Sequence, residues 1–144
     1  MVGRESRLIV VLRVLLGVGM VAQGINHFVL TDLMIRIMPG YLPWHRPLVL
    51  SSGIAELALG LMVFIPKTRH LAGWGLVALL VAVFPANIEM AIHASNFPEL
   101  PELALWLRLP LQPLLVYWVW VTCLRRPAAA GTAAPLQSPQ PPRE

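Results

Sequence analysis

Four long apolar runs, each followed by a proline-containing segment, constrain the fold of this chain more than any other feature. They comprise residues 8–30, 48–65, 71–94 and 103–124. Since a helix rises about 1.5 Å per residue, about 20 apolar residues suffice to cross the hydrocarbon core of a bilayer. The second run is the shortest, with a helical length of about 27 Å, and lies near that limit. The pattern predicts an all-α fold, a bundle of four transmembrane helices.

The composition argues against a soluble globular domain. Hydrophobic residues make up 57% of the chain and charged residues 12%, whereas soluble domains have about 45–50% and about 25%. The net charge is +4, but the basic residues lie mostly at the ends of apolar runs. They form no patch that would suit nucleic acid, and we expect the lipid bilayer to be the main partner. The single cysteine, Cys123, cannot form an internal disulfide or a CxxC site.

The distribution of basic residues predicts the orientation in the membrane. With a cytoplasmic N-terminus, three of them lie outside, namely Arg36, Arg46 and Arg108. The other eight lie inside, and they are Arg4, Arg7, Arg13, Lys67, Arg69, Arg125, Arg126 and Arg143. Because positive loops stay cytoplasmic, we expect a multi-pass protein of the bacterial inner (cell) membrane with both termini in the cytoplasm. Arg13 lies within the first run and is expected to snorkel to the inner surface. A cleaved signal peptide is the alternative for this run, but the run is too long and contains Arg13.

Two segments outside the runs complete the predicted organisation. Thr31–Pro47 is too apolar for a free loop and too short to span, so we predict an interfacial segment between helices 1 and 2 that caps the outer face. Its Tyr41 and Trp44 suit the headgroup level. Residues 127–144 are rich in proline and alanine and have little to bury, so they are predicted to form a disordered tail. The membrane domain is therefore expected to comprise residues 1–126.

Polar residues within the apolar runs indicate where a function would lie, because such groups are costly in a bilayer. Counted by the helical rise, they fall in the outer half, and they are Gln23, Asn26, His27, Glu56, Asn87, Glu89, His93, Arg108 and Gln112. Gln23, Asn26 and His27 share one helix face. Asn87 and Glu89 lie on opposite faces, and we expect the deeper Asn87 to face inward. The four helices are expected to bring the inward side chains into one polar cluster that opens outward.

Small residues on the first two helices predict that these helices pack closely. Gly17 and Gly24 extend the face that carries His27, and Gly53 and Gly60 lie in a small, polar stripe on the second helix. On the third helix, Pro85 is expected to free the carbonyl of Val81 and to kink the helix.

Two roles are open for Glu56. It can pair with Arg108 and hold the bundle together, since the two lie at estimated depths of about 12 Å and about 8 Å. It can instead exchange protons or bind a ligand together with His27. A copper site is a further alternative, because thioethers and imidazoles suit Cu(I), and the residues concerned are Met34, Met38, Met90, His27 and His93. They form no tight cluster along the chain, so no metal site is predicted.

Five short motifs lie at the ends of the predicted helices and in the first connection. They are Gly24-Ile25-Asn26-His27-Phe28, Ile37-Met38-Pro39-Gly40-Tyr41-Leu42-Pro43, Ser52-Gly53-Ile54-Ala55-Glu56, Phe84-Pro85-Ala86-Asn87-Ile88-Glu89-Met90-Ala91 and Leu105-Trp106-Leu107-Arg108-Leu109-Pro110-Leu111-Gln112. In combination, over residues 8–126, the chain resembles the DoxX-like family of small four-helix membrane proteins.

The resemblance implies a fold and two alternative functions. The family takes its name from a subunit linked to thiosulfate oxidation and quinone reduction, so one expectation is a redox-linked subunit that binds a quinone or similar lipid-soluble ligand and works with a redox partner. Distant animal relatives look like chaperones or sorting receptors, so the alternative is a non-catalytic accessory or assembly protein with a membrane protein partner. A transporter is a third, less supported interpretation. The residues predicted for ligand binding or proton handling are Asn26, His27, Glu56, Asn87, Arg108 and Gln112.

Overall fold

The computed structural model describes residues 6–98 and 100–125. Within these ranges the regular structure is entirely helical. The α-helices are α1 (Arg7–Val29), α2 (Thr31–Arg36), α3 (His45–Met62), α4 (Arg69–Ile92) and α5 (Glu102–Val119). A 3-10 turn (Ala94–Asn96) follows α4, and a π-helical turn (Trp120–Leu124) continues α5. The predicted tail, residues 127–144, lies outside the described residues.

The long helices coincide closely with the predicted apolar runs, and the all-α fold class is confirmed. Three of them are long and apolar enough to cross a membrane: α1, α4, and α5 together with its π turn. The remaining long helix, α3, has 18 residues, and its mean hydropathy is lowered by His45, Arg46 and Pro47 at its start and by Glu56. It is not among the three, and its role as a fourth span stays a prediction.

The four long helices form a ring in which each helix is antiparallel to its neighbours. α3 packs on α1 and on α4, and α4 packs on α5. The π turn of α5 contacts α1 and closes the ring. As a result, α3 and α5 run in the same direction on opposite sides of the bundle. We call the end that holds α2 and the α4–α5 connection the distal end, and the end that holds Ser6 and Arg125 the proximal end.

Glycines set the short distance between α1 and α3. A Cβ atom on Gly24 would lie 2.9 Å from the backbone oxygen of Gly53 and 2.9 Å from the backbone nitrogen of Leu57. A Cβ atom on Gly53 would lie 2.6 Å from the Cβ atom of His27. Because helices approach most closely where side chains are missing, these glycines bring His27 directly against α3. The predicted close packing of the first two long helices is confirmed.

The proximal half of the bundle has an apolar core that includes one buried arginine. The core residues are Leu16, Val63, Ala72, Leu76, Leu80, Val119, Cys123 and Leu124. Arg13 is only 6% exposed, and its Nε donates a hydrogen bond to the carbonyl of Thr122 at 3.0 Å. The expectation that Arg13 snorkels to the surface is therefore wrong. The carbonyls at the end of the last helix lack intrahelical partners and carry partial negative charge, so they provide acceptors nearby.

The segment between α1 and α3 folds over the distal end. Ile37 packs against an apolar cluster from α4, α5 and the segment between them, namely Met90, Phe97 and Leu105. Tyr41 and Trp44 are 73% and 78% exposed, as expected for side chains at the headgroup level. Trp44 has a φ of 56°, a left-handed conformation that turns the chain into α3. This segment covers the distal end of the bundle, and its place at the outer membrane interface stays a prediction.

α4 continues past Pro85 to Ile92 without interruption, and the expected kink at Pro85 stays a prediction. Pro85 still removes one backbone donor from the helix, because its nitrogen carries no hydrogen. One turn earlier, the carbonyl of Leu80 accepts a hydrogen bond from the side chain of Gln112 on α5. Pro85 thus lies close to the point where a side chain of α5 forms a hydrogen bond with the backbone of α4.

Candidate ligand-binding and proton-handling site

The first polar group lies between α1 and α3 and consists of His27, Ser52 and Glu56. The Nδ1 atom of His27 lies 2.9 Å from the carbonyl oxygen of Val49 and 3.1 Å from the Oγ of Ser52. The Ser52 hydroxyl itself donates to the Val49 carbonyl at 2.9 Å. On the other side of the ring, Nε2 lies 3.5 Å from Oε2 of Glu56. We call this the α1–α3 polar group.

These contacts determine where protons lie in the group. A carbonyl oxygen can only accept, so Nδ1 of His27 must carry a hydrogen to bond with Val49. In a neutral ring, Nε2 would then be an acceptor facing a carboxylate oxygen, which is also an acceptor. A further proton on His27 or on Glu56 would turn these two facing acceptors into a favourable contact. The pair can therefore hold one exchangeable proton, as general acid–base chemistry requires.

Glu56 leaves part of its hydrogen-bonding capacity unused. It is 7% exposed, and its buried Oε2 has no hydrogen-bond partner in the described structure. The 3.5 Å separation from His27 exceeds the usual hydrogen-bond range of about 2.7–3.2 Å. A buried polar atom without a partner costs about 1–3 kcal/mol, so its presence in this position calls for a functional explanation.

The pairing of His27 with Glu56 follows from the antiparallel packing. Counted from the outer ends of their runs by the rise per residue, His27 lies at a depth of about 5 Å and Glu56 about 7 Å deeper. A side chain on a helix leans toward the N-terminus of that helix. On antiparallel helices the two side chains therefore lean toward each other, which closes most of that difference.

The second polar group lies between α4 and α5. Asn87 donates through Nδ2 to Oε1 of Gln112 at 2.8 Å, and Gln112 donates through Nε2 to the carbonyl of Leu80 at 2.6 Å. Gln112 is buried, and both ends of its amide are bonded. We call Asn87 and Gln112 the α4–α5 polar group. The expectation that Asn87 faces the bundle is confirmed, and Glu89 instead bonds His93 one turn along α4 at 2.9 Å.

Arg108 belongs to neither group. It is exposed, and its Nη1 donates to the Sδ of Met90 at 3.2 Å. The sequence predicts a direct or water-bridged contact between Glu56 and Arg108, and its direct form is wrong, because the two side chains have other neighbours. Their helices lie on opposite sides of the ring and run in the same direction, so both side chains lean toward the distal end and cannot close the gap. The single cluster expected from the sequence is thus two groups, each between one pair of neighbouring helices.

Two further polar residues of α1 stand outside both groups. Asn26 is exposed and Gln23 is half-buried, and neither side chain has a hydrogen bond to any residue in the described ranges. In the same ranges, no three His, Cys, Asp or Glu side chains lie together as a metal site would require. The structure also adds Ser52 to the α1–α3 polar group. The sequence signal for Ser52 was its position one turn before Glu56, on the stripe that carries the glycines.

Gln112 should contribute to stability, whereas Asn26 should not. We expect Gln112→Leu to lower the free energy of unfolding by about 1–2 kcal/mol, because Asn87 and the Leu80 carbonyl lose their partner. Asn26→Leu, on the exposed side of α1, should leave the free energy of unfolding unchanged or raise it. Thermal unfolding of both variants in one detergent checks this. Equal losses of stability in the two variants would show that the α4–α5 polar group stabilises the bundle no more than an exposed polar residue does.

The fold and these polar groups define the class: a helical membrane protein with three candidate spans, whose neighbouring helices are joined by buried polar groups. The chain belongs to the family described as Domain of unknown function (DUF8561), whose model matches residues 16–123. That range includes every member of both polar groups. None of the curated proteins and none of the solved structures compared with the chain shows a match.

Proposed function

We propose that the protein binds a lipid-soluble ligand of the quinol class between its helices and exchanges a proton with it at Glu56. The observation that carries this proposal is the buried Oε2 of Glu56, which has no hydrogen-bond partner. A buried acceptor without a donor is best satisfied by a ligand that brings an O–H group. The motif resemblance to the DoxX-like family points to the same class of ligand.

The roles of the residues follow from their contacts. Glu56 accepts the hydrogen bond of the ligand and, when ionised, its proton. His27 lies beside Glu56 and holds the proton that the pair stores, while Ser52 and the Val49 carbonyl fix the ring through Nδ1. Because His27 is held on one side and Glu56 is free on the other, protons can pass between ligand and pair without movement of a helix. A bound quinol would supply protons from its hydroxyl groups, and its electrons would pass to a separate redox partner.

The other predicted site residues take more limited parts in this proposal. Asn87 and Gln112 bond each other and the α4 backbone, so they position α4 against α5. Arg108 is exposed, and among the described residues its partner is the thioether of Met90, so it is available to a polar ligand group or a lipid headgroup. Asn26 lies on the exposed side of α1 and has no assigned part.

The second candidate function is that of a non-catalytic accessory or assembly protein. One observation favours it, a groove of about 380 Å³ along α4 and α5 that opens on the outside of the bundle. Its lining is almost entirely apolar, and it comprises Trp74, Val77, Pro113, Val116, Tyr117, Trp120 and Leu124. A helix of a membrane partner would fill such a groove by packing alone.

Mass spectrometry of the detergent-purified protein under native conditions separates the two functions. We expect the wild type to retain a quinone-class molecule. Glu56→Leu should lose it by about tenfold, the effect of one charge-assisted hydrogen bond. Glu102→Gln, an exposed acid at the start of α5, is the matched control and should retain it. A partner protein in place of a small molecule, unaffected by Glu56→Leu, would favour the accessory function.

The proposed setting is the inner membrane with the proximal end in the cytoplasm. The support is the excess of basic residues at that end. In a Cys123→Ser background, Gly40→Cys at the distal end should react with an impermeant thiol reagent added to spheroplasts, because Gly40 is exposed and a Cβ atom there would have no neighbour within 4 Å. Lys67→Cys at the proximal end should react only after lysis. Reaction of Lys67→Cys alone before lysis would reverse the orientation.

A further inference from the structure

A cavity at the distal end lies on the outside of the bundle, where α1 turns into α2. Its volume is about 380 Å³, within the range of small-ligand pockets, about 300–1,000 Å³. Its lining residues are Phe28, Val29, Leu30, Thr31, Asp32, Leu33 and Arg46. Neither His27 nor Glu56 is among them, so the cavity is separate from the α1–α3 polar group.

The lining holds one acidic and one basic side chain, and these two form no ion pair with each other. Asp32 and Arg46 are both exposed. Neither side chain forms an ion pair or a hydrogen bond with any other part of the described structure. Two opposite charges that line one cavity and remain unpaired are complementary to a ligand that carries both charges itself. A zwitterion would place its anionic group at Arg46 and its cationic group at Asp32.

Apart from Thr31, the remaining lining residues are apolar, and they continue along α1. Phe28 and Val29 are 44% and 71% exposed, and they occupy the last turn of a helix that is long and apolar enough to span a membrane. The Thr31 hydroxyl bonds the carbonyls of His27 and Phe28, so it completes the end of α1. The charged part of the cavity thus lies directly beyond an apolar surface of the kind that faces acyl chains.

We propose that this cavity binds the headgroup of a phospholipid with a primary ammonium group, the phosphoethanolamine class. Arg46 holds the phosphate, Asp32 accepts hydrogen bonds from the ammonium, and Phe28 and Val29 contact the first part of an acyl chain. A choline headgroup has no N–H to donate to Asp32. A headgroup with a phosphate and no cation leaves Asp32 unpaired beside an anion, so it binds less well.

Lipid competition in native mass spectrometry tests this site. The full-length protein is delipidated and offered equal amounts of ethanolamine, choline and glycerol phospholipids with identical acyl chains. The wild type should retain the ethanolamine lipid about tenfold better than the other two. Asp32→Asn should abolish the preference over choline, and Arg46→Gln should weaken retention of all three. Arg125→Gln, an exposed arginine at the proximal end, should behave as the wild type.

Three results would overturn the proposal. The first is equal retention of the three lipids by the wild type, and the second is an unchanged preference in both Asp32→Asn and Arg46→Gln. The third is displacement of the lipid by an equal concentration of free phosphoethanolamine, which would show that the acyl contact contributes nothing. Because Asp32 and Arg46 are exposed, size-exclusion profiles of the variants should match the wild type. The outcome is independent of the function proposed for Glu56, which lies outside this cavity.

Discussion

Adding a single methyl group at Gly53 should separate α1 from α3 and destabilise the protein by about 1–3 kcal/mol, the usual cost of overpacking. The new Cβ atom would lie 2.6 Å from the Cβ atom of His27. Both atoms are attached directly to a helix backbone, so no side-chain rotation relieves the clash and one helix must move. The midpoint of thermal unfolding in detergent should fall by about 3–10 °C. Ligand retention should fall with it, because His27 is displaced.

Gly19 provides the matched control for this prediction. It lies on α1, the helix that carries His27, and a Cβ atom there would have no neighbour within 4 Å. Gly19→Ala should therefore keep the wild-type midpoint or raise it slightly, since alanine favours a helix more than glycine does. Equal midpoints for Gly53→Ala and Gly19→Ala would contradict the close contact between α1 and α3.

Glu56→Leu should lower ligand retention about tenfold and leave the protein as stable as the wild type or more so. Removing one partner of a buried ion pair is strongly destabilising when the other partner stays charged, but an imidazole can lose its proton. Here the replacement also removes a carboxylate oxygen that has no hydrogen-bond partner. His27 then becomes neutral and keeps its bonds to Val49 and Ser52. Thermal unfolding and native mass spectrometry on the same preparation measure both effects.

The sign of the stability change distinguishes two roles for Glu56. A residue that serves only to hold helices together should lower stability when it is removed. A residue that binds a ligand and destabilises the fold should not lower stability when it is removed. A second variant, Glu56→Gln, can still accept a hydrogen bond but cannot take up a proton, so it should bind the ligand without exchanging a proton. A loss of several degrees in Glu56→Leu, with ligand retained, would assign Glu56 to structure alone.

The helices could be predicted closely from the sequence because apolar length and proline positions determine them directly. The observed start of α4 at Arg69 lies two residues before the predicted run, and the end of the π turn at Leu124 coincides with the end of the fourth run. The glycine contact between Gly24 and Gly53 was also predictable, since glycines aligned on one helix face have few other uses. The local sequence pattern was sufficient to predict the helix bounds and this glycine contact.

The partners of the polar residues were harder to predict, because they depend on which helices are neighbours. Depth alone placed Glu56 near Arg108. The ring order places Arg108 on the diagonal helix, and the antiparallel lean brings Glu56 to His27. The burial of Arg13 could not be predicted for the same reason. Its acceptor, the Thr122 carbonyl, lies 109 residues along the chain. Helix order in a bundle is a tertiary property that a single sequence does not display.

Infrared difference spectroscopy of the Glu56 carboxyl group tests the central claim most directly. A hydroquinone added to the purified protein in nanodiscs should perturb one carboxyl band of the wild type, because its O–H bonds the free Oε2. The same band should change in Glu102→Gln and should be missing from the difference spectrum of Glu56→Gln. A wild-type spectrum without any carboxyl change, or an identical change in Glu56→Gln, would contradict the assignment of Glu56 as the ligand's hydrogen-bond acceptor.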